Sequence, residues 1–462
     1  MNRFPLILTL LPVLLASCTL HLPRQQPGEA VPRKENWRHA PSWARASLRQ
    51  EWWKGFGDSR LNSHLTTALS RNPDLGILGR RLERAQTQTS QARAAGWPSL
   101  RIDSGLLIGR ERSQTTGFSP ADLDPWTNST SFSWELDLFG RIRAGTQAAR
   151  QAEQAALWDL HGGRLLIASQ VTEAHFRILR LNEERSLVAS SISANQEILT
   201  LLQARKKAGL LSKTAILRQE AEHERLARAL LDLDRLRGLS LLQLETLCGG
   251  SSLSLPTLHL STIASPPLPT RTSSAVLAQR PDLLAAEARV RAAFKLEESR
   301  RLQLLPSLSL GANSRASGSS LLAGFRQWIA TAGPQLEIPI YEPSRAAEVK
   351  VRRAATNEAA ALYRKQAITA FREVEASYLN LGNRHLQLKG AQREIQSLEK
   401  ARQNTLATFE NGLVSQIELL ESERRSLEGK RQELAIRHAL LRDHLALVRA
   451  LGGGSNEEGF RK

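Results

Sequence analysis

Four short segments of the chain alternate apolar and polar residues with a period of two, the pattern of a β-strand with one apolar and one polar face. In the first segment, Leu100, Ile102 and Leu106 alternate with polar residues and glycine. The predicted strands cover residues 99–111, 127–139, 306–315 and 328–341. Each is close to the roughly 9–11 residues that cross a bilayer as a tilted strand. Two hairpins of a water-soluble sheet would alternate in the same way, so the pattern alone leaves both interpretations open.

Two long tracts without proline predict helices. The sequence holds 19 prolines, yet none lies between Trp126 and Leu255 and none follows Pro343. Because proline in a helix interior costs about 3 kcal/mol, such tracts are typical of uninterrupted helices. Each tract contains one Gly-Leu-x-Ser element, in which the glycine ends one helix and the serine caps the next. We therefore predict two helical hairpins, over residues 141–248 and 344–451.

The predicted helices match one another in length. Residues 141–205 and 344–408 would form long helices of ~98 Å, and each return helix would span ~55 Å. Shorter helices are predicted at residues 58–96 and 273–304, with lengths of ~60 Å and ~48 Å. A short helix and a return helix placed end to end would match one long helix, which predicts a column of even thickness. Within the first long helix, Gly162-Gly163 predicts a local kink.

The chain also carries an internal duplication with a period of about 200 residues. The recurring motifs are Asn72-Pro73-Asp74-Leu75 with Arg280-Pro281-Asp282-Leu283, Trp97-Pro98-Ser99-Leu100 with Leu305-Pro306-Ser307-Leu308, Gly209-Leu210-Leu211-Ser212 with Gly412-Leu413-Val414-Ser415, and Leu247-Cys248-Gly249-Gly250 with Leu451-Gly452-Gly453-Gly454. Their common order predicts two structural repeats, each with a helix, two strands and a hairpin. The repeats cover residues 58–250 and 271–454, with a linker rich in Ser, Thr and Pro at residues 251–270 and a tail at residues 455–462.

The first residues form a targeting signal: a short basic start is followed by an apolar stretch too short to span a bilayer. The stretch ends in Leu15-Ala16-Ser17-Cys18, which resembles the bacterial lipobox, whose cysteine is acylated and becomes the mature N-terminus. Ordinary signal cleavage is the alternative. We predict a signal peptide at residues 1–17 and a lipid-anchored extended segment at residues 18–57, with the lipid on Cys18. Thr19 replaces the Asp that often retains lipoproteins at the inner membrane, so the resemblance implies sorting to the outer membrane.

No apolar run in the remaining chain approaches the ~20 residues of a transmembrane helix, so a membrane-spanning part would consist of strands. Trp126, Trp134 and Trp328 lie in or beside the predicted strands, where they can serve as interface anchors. Four strands cannot close a membrane barrel, because small barrels need at least about eight. Strands that span lipid therefore predict several chains sharing one barrel.

Composition and motifs argue against two other classes of protein. The formal net charge is +18, but Arg and Lys are interspersed with Glu and Gln along the helices, which is more typical of solvated helix faces than of a nucleic-acid site. No zinc-protease motif, nucleophile elbow or phosphate-binding loop is present, which argues against an enzyme. We predict no metal and no cofactor other than the covalent lipid. Cys248, far from Cys18, is predicted to be a small buried apolar residue.

Taken together, the motifs resemble the outer-membrane efflux factor family, the TolC-like proteins, and in particular its lipidated OprM-like and NodT-like branch. The residues that carry the resemblance are Leu15-Ala16-Ser17-Cys18, Trp53-Lys54-Gly55-Phe56-Gly57-Asp58, Asn72-Pro73-Asp74-Leu75, Trp134-Glu135-Leu136-Asp137-Leu138-Phe139-Gly140-Arg141, Arg280-Pro281-Asp282-Leu283 and Leu451-Gly452-Gly453-Gly454. The resemblance implies an α+β membrane protein of a Gram-negative outer membrane. It implies a homotrimer whose twelve strands form one outer-membrane barrel, above a long periplasmic α-barrel.

The resemblance also implies partners and sites. The chain would be the passive channel of a tripartite efflux system, joined by a periplasmic adaptor to an inner-membrane transporter. The adaptor would meet the two hairpin turns, whose residues are Gly209, Leu210, Leu211, Ser212, Gly412, Leu413, Val414 and Ser415. An ordinary helix turn explains Gly and Ser, but an exposed Leu-Leu or Leu-Val pair suits a binding surface. Relatives narrow the resting pore with an apolar residue and a carboxylate four positions later, here Ile417 and Glu421. Glu421 stands where relatives often have Asp, so its reach differs.

Three alternatives remain at the level of sequence. The first is the outer-membrane duct of a type I protein secretion system. The second is a structural coiled-coil lipoprotein without channel activity, and the third is a cytoplasmic nucleic-acid-binding coiled coil, which the targeting signal disfavours. The sequence does not record the exported cargo.

Overall fold

The computed structural model describes residues 37–38, 51–106, 110–111, 121–122, 126–209, 211–254, 258–263, 277, 279–318 and 327–454. The predicted signal peptide, Cys18, most of the anchored segment and the C-terminal tail lie outside the described residues.

The two halves of the chain are built from the same series of elements. The helices are α1 (Ser59–Arg71), α2 (Pro73–Ala94), α3 (Arg141–Lys207), α4 (Lys213–Leu247), α5 (Pro281–Leu302), α6 (Pro343–Glu410) and α7 (Gln416–Ala450). The strands are β1 (Ser99–Leu106), β2 (Arg110–Glu111), β3 (Ala121–Asp122), β4 (Trp126–Leu136), β5 (Ser307–Gly318) and β6 (Gln327–Glu337). Short 3-10 helices lie at Trp52–Phe56, Leu260–Thr262 and Gly452–Gly454. The predicted α+β class, its two helical hairpins and its duplication are confirmed.

The long helices α3 and α6 contain 67 and 68 residues, and the return helices α4 and α7 contain 35 each. At 1.5 Å per residue the long helices measure ~100 Å. The helix α3 continues without a break through Gly162 and Gly163, where a kink is predicted. A Cβ on Gly163 would lie 2.3 Å from Cδ1 of Leu78 on α2. This glycine therefore permits close packing of two helices.

The first short helix, predicted as one element, is divided in two at Asn72. The side-chain Oδ1 of Asn72 accepts hydrogen bonds from the backbone N–H groups of Asp74 and Leu75, at 2.9 and 3.2 Å. Pro73 occupies the first position of the new helix, where its missing N–H is not needed. The prediction of a single helix is wrong because this Asn-Pro pair ends α1 and caps α2.

The helices form a wall in which α5 and α7 contact both long helices, while α2 and α4 contact α3. Hydrogen bonds and ion pairs place the short elements along α3: Thr146 bonds to Ala92 of α2, Arg185 to Asp234 of α4, Ser299 of α5 to Arg141, and Arg431 of α7 to Glu184. Thus α2 and α4 follow each other along one side of α3, and α5 and α7 along the other. This is the end-to-end stacking expected from the helix lengths. Among the described residues, no helix has both the length and the apolar character needed to cross a membrane.

A return helix meets the start of a short helix at two equivalent junctions. At the first junction, Nδ2 of Asn72 donates to the carbonyl oxygen of Leu247 at 2.8 Å. At the second, Nη1 of Arg280 donates to the carbonyl oxygen of Ala450 at 2.9 Å. The structure thus shifts the predicted alignment of the closing motifs by one residue: the buried C-cap residues Cys248 and Leu451 are equivalent.

Four strands form one antiparallel sheet in the order β1-β4-β5-β6, so the two halves are joined at β4 and β5. Two predicted strands end earlier than expected. β4 stops at Leu136, because the carboxylate of Asp137 accepts the backbone N–H groups of Ile142 and Arg143 at the start of α3. β6 ends at Glu337. The first predicted strand, residues 99–111, is represented by β1 and β2, and residues 107–109 lie outside the described residues. Among the described strands, β2 pairs only with β3.

One face of α3 is covered by a cover layer made of Trp52–Phe56, α1 and Leu260–Thr262. Phe56 packs edge-on against Phe176 of α3, with ring centroids 5.0 Å apart. Nε2 of His175 lies 2.7 Å from the carboxylate of Asp58, and both side chains are buried. Beneath the same layer Cys248 is fully buried, and burial raises the pKa of its thiol to about 11. The prediction that Cys248 is a buried apolar residue is confirmed.

Candidate functional site

The first hairpin tip joins α3 to α4. Gly209 adopts a left-handed conformation with φ +74°, which a glycine accepts without strain. Ser212 stands at the N-cap of α4, but its side chain makes no capping hydrogen bond. Leu210 lies outside the described residues. Leu211 is half-buried and packs against an apolar cluster between the hairpins.

The second tip joins α6 to α7 and differs in detail. Gly412 has φ +78°, and the hydroxyl of Ser415 accepts the backbone N–H of Glu418 at 3.3 Å. Leu413 is 75% exposed, whereas Val414 is half-buried against the cluster. The expectation that both apolar residues of each tip are exposed is wrong for Leu211 and Val414, because they close the core between the hairpins.

That core binds the two tips into one unit. It is formed by Ile198, Leu199, Leu202, Ile216, Phe409 and Leu419. The guanidinium of Arg205, at the end of α3, donates to the carbonyl oxygens of Phe409 and Glu410 at 3.0 and 2.8 Å. It also lies 4.7 Å from the centroid of the Phe409 ring. Arg205 thus satisfies carbonyls at the end of the other hairpin's long helix.

Two buried polar contacts join the return helices just above the tips. Nε2 of Gln416 donates to Oε1 of Gln219 at 3.0 Å, and both residues are buried. The carboxylate of Glu222 accepts from Arg424 at 2.6 Å and from Arg225 at 2.5 Å. Burial raises the pKa of Glu222, but the hydrogen bonds from the two arginines outweigh this and hold the pKa below its usual value. No sequence motif signalled these contacts, which cross about 200 residues of chain.

The predicted constriction residues, Ile417 and Glu421, lie one turn apart on α7. Ile417 is 56% exposed, and Glu421 pairs with Arg425 at 2.8 Å on an open surface. Both residues lie on one face of α7, whose members are spaced three or four positions apart in the sequence. We call this face the α7 stripe. The stripe consists of Ile417, Glu421, Arg424, Glu428, Arg431, Ala435, His438 and Arg442.

At the other end of the molecule, the strand register brings apolar positions together. Leu100, Phe132, Ala312 and Ala332 form one row across the sheet, and Leu136, Leu308 and Leu336 another. Positions between these rows carry mostly polar residues and glycine. The four alternating runs are therefore in phase, and the sheet has one apolar and one polar face.

Two of the three predicted anchor tryptophans, Trp134 and Trp328, have polar partners at their ring nitrogens. Nε1 of Trp134 donates to the carbonyl oxygen of Gly96 at 3.0 Å, and Nε1 of Trp328 donates to the hydroxyl of Ser314 at 2.8 Å. In the part of the chain that the structure describes, no group of three or more His, Cys, Asp or Glu residues is placed to hold a metal ion.

A known protein family matches both halves of the duplicated chain. The family model for outer membrane efflux proteins matches residues 65–250 and 272–453, one stretch in each half. The chain is 27% identical to the pyoverdine export outer membrane protein OpmQ of Pseudomonas aeruginosa, over 97% of both chains. It is 26% identical to the cation efflux system protein CusC of Escherichia coli K12, over 95% of this chain and 97% of CusC.

Solved structures have the same fold. The outer-membrane channel OprN superposes with a TM-score of 0.83 at 22% identity, over 92% of this chain and 98% of OprN. The CmeC outer membrane channel of Campylobacter jejuni gives 0.82 at 21% identity, over 91% of this chain and 92% of CmeC. With family motifs matched in both halves and the fold of these channels, the chain belongs to the outer membrane efflux protein family and is an outer-membrane channel component of an efflux system.

Proposed function

We propose that this protein is a lipid-anchored homotrimeric duct, passive and without catalytic activity, that completes a tripartite efflux system. The observation that carries the proposal is the four-stranded sheet, whose faces differ in polarity and whose outer strands β1 and β6 each have one partner among the described strands. Unpaired edges favour pairing with another chain. If β6 of one copy pairs with β1 of the next, the contact is head-to-tail and closes as a ring. Three copies would supply twelve strands.

The helical wall supports the same arrangement. Its lateral edge at α4 carries exposed Leu217, Leu231, Leu239 and Leu242 on one helix face. The opposite edge, at α6, carries exposed Ile368, Leu379 and Leu386. Exposed apolar rows of this length are typical of protein interfaces. A head-to-tail ring would bury the α4 edge of one copy against the α6 edge of its neighbour.

The tips are proposed to bind the periplasmic adaptor, which links the duct to an inner-membrane transporter that supplies the energy. Leu413 offers an exposed apolar side chain at the second tip, and Leu210 is its counterpart in the duplicated motif. Adaptor binding would separate the return helices by breaking the contacts of Gln219 and Glu222 with α7, and so widen the constriction at Ile417 and Glu421. Cys18 would carry the covalent lipid, the only attached group.

A reciprocal pair of double variants tests the duct and the tips separately. We expect Leu231→Arg with Leu239→Arg to abolish the detergent-stable trimer, because two charges would enter the apolar edge. We expect Leu210→Asp with Leu413→Asp to leave the trimer intact but to remove adaptor crosslinking and export. Molar mass by light scattering, site-specific crosslinking and export assays are the measurements. A wild-type protein that is monomeric in detergent contradicts the duct, and a tip variant that still crosslinks contradicts the adaptor assignment.

A further inference from the structure

Two cavities of about 610 Å³ each lie on opposite faces of α3 and α7. The first, next to the cover layer, is lined by charges of both signs: Glu183, Glu433, Lys430 and Arg437. The second is lined by Arg177, Arg180 and Arg442 with one carboxylate, Glu173. The two cavities match in volume but differ in charge, and only the second has a clear excess of positive groups.

The second cavity opens on the face that would line the duct. The cover layer occupies the His175 side of α3, and Arg177 follows two residues later, about 200° further around the helix. A duct must stay open inside, so the additional layer belongs outside the wall. The α7 stripe agrees, because it places His438 and Arg442 on the same helix face as the constriction residues Ile417 and Glu421. This orientation rests on the proposed function.

The arginines of this cavity differ in how far their charge is neutralised. Arg442 pairs with Glu173 at 3.0 Å, and Arg180 pairs with Glu184 at 2.7 Å. Glu184 is shared with a further arginine, Arg431, at 2.6 Å. Among the residues that the structure describes, no carboxylate forms an ion pair with the exposed Arg177.

His438 lies among these arginines, and its pKa responds to their positive charge. Its Nε2 is buried and has no hydrogen-bond partner among the described residues. Burial, followed by the charges of Arg180, Arg442 and Arg177, lowers the pKa of His438 to about 4. The imidazole is therefore neutral at physiological pH, and the positive potential of the cavity comes from guanidinium groups whose charge does not titrate.

We propose that this cavity is an anion-binding site in the wall of the duct, and that the cargo carried by this protein is a small molecule bearing carboxylate, phosphate or sulfonate groups. Guanidinium groups bind such oxyanions through paired, charge-assisted hydrogen bonds. Rings of Arg or Lys select anions in pores, and low-dielectric walls focus their field. In a closed trimer the site would occur three times at one level of the channel.

Ion selectivity of the purified full-length protein in planar bilayers tests the proposal. We expect the wild-type reversal potential in a KCl gradient to show preference for chloride. The variant Arg177→Gln with Arg442→Gln should shift the preference toward potassium. The matched control, Lys430→Gln with Arg437→Gln, removes the same charge from the cavity on the opposite face and should leave the reversal potential unchanged. Preference for potassium in the wild type, or equal shifts in both variants, contradicts the proposal.

Direct binding provides a second measurement that does not need an open channel. Isothermal titration with inorganic pyrophosphate should give binding to the wild type and to the control. Binding to the Arg177 and Arg442 variant should be weaker by a factor of at least about ten, as expected for the loss of charge-assisted hydrogen bonds. Absence of pyrophosphate binding to the wild type overturns the proposed site. A wild-type protein that binds pyrophosphate but never conducts contradicts the duct and leaves the site standing, so the two failures are distinguishable.

Discussion

The two junctions between a return helix and a short helix perform one structural task with different chemistry. At the first, the neutral amide of Asn72 both caps α2 and donates to the last carbonyl of α4. At the second, the guanidinium of Arg280 donates to the end of α7 and pairs with Asp282 and Glu373 at 2.8 and 2.9 Å. Duplication has kept the geometry of the contact, a donor aimed at a helix C-terminus, while the electrostatics of the two sites diverged.

Substitution of the donor residue should reduce local stability most at the second junction. Arg280 is 8% exposed, and Arg280→Met would leave Asp282 and Glu373 without their partner and the carbonyl of Ala450 without its donor. Because the carboxylates of Asp282 and Glu373 are partly exposed to water, the free energy of unfolding should fall by about 3 kcal/mol, the lower end of the range for breaking a buried ion pair. Asn72→Ala should cost only about 1–2 kcal/mol, the loss of a helix cap.

Amide hydrogen exchange at the start of α5 and of α2 measures these two local stabilities. Equal losses at the two junctions would contradict the electrostatic difference between them.

A smaller response is expected on acidification, and only at the second junction. Burial raises the pKa of Asp282, but the hydrogen bond and charge of Arg280 hold it below its usual value. A carboxyl group with a lowered folded-state pKa contributes stability that is present above its unfolded pKa, about 3.9, and is lost as the pH falls through the folded value.

Protection of the α5 N-terminus should therefore decline below about pH 4, after correction for intrinsic exchange, while protection at the Asn72 cap does not follow. Asp282→Asn should remove the pH dependence. An acid response of the same size in that variant would place its cause elsewhere.

The smallest expected changes in stability concern the serine N-caps at the two hairpin tips. Ser415 makes a capping hydrogen bond, whereas Ser212, in the equivalent position, makes none. We expect Ser415→Ala to lower the local stability of α7 by about 0.5–1 kcal/mol, and Ser212→Ala to leave that of α4 nearly unchanged. Exchange rates in the first turn of each return helix give the measurement. A larger loss in the Ser212 variant would reverse the assignment.

Local patterns predicted the elements of this fold well. Gly209 and Gly412 ended the long helices as expected, and the alternation around Leu100 and Phe132 proved to be in phase across the sheet. Boundaries set by one side chain were missed, such as the cap at Asn72. At Asn72 and at Asp137 the missed boundary comes from a polar side chain that hydrogen-bonds to the backbone, which hydrophobic periodicity does not record.

The candidate site was less accessible from sequence. Leu211 and Val414 were expected on the surface, but they pack against the core between the hairpins. The contact of Glu222 with Arg424, and the arginines around His438, depend on which helix faces meet after folding. The mixed charge pattern predicted solvated faces and did not distinguish the two sides of the wall. That distinction requires the three-dimensional positions of α3 and α7.

The edges of the sheet have a consequence for biogenesis. Among the described strands, β1 and β6 each have a single partner, so their outward edges present backbone amides and carbonyls without a partner strand, and one face of the sheet is apolar. Bilayer insertion of a solitary copy would leave those edges unsatisfied in hydrocarbon. If the proposed three-chain barrel forms, insertion and subunit association would therefore proceed as one event, and surplus copies would be substrates for periplasmic chaperones or proteases.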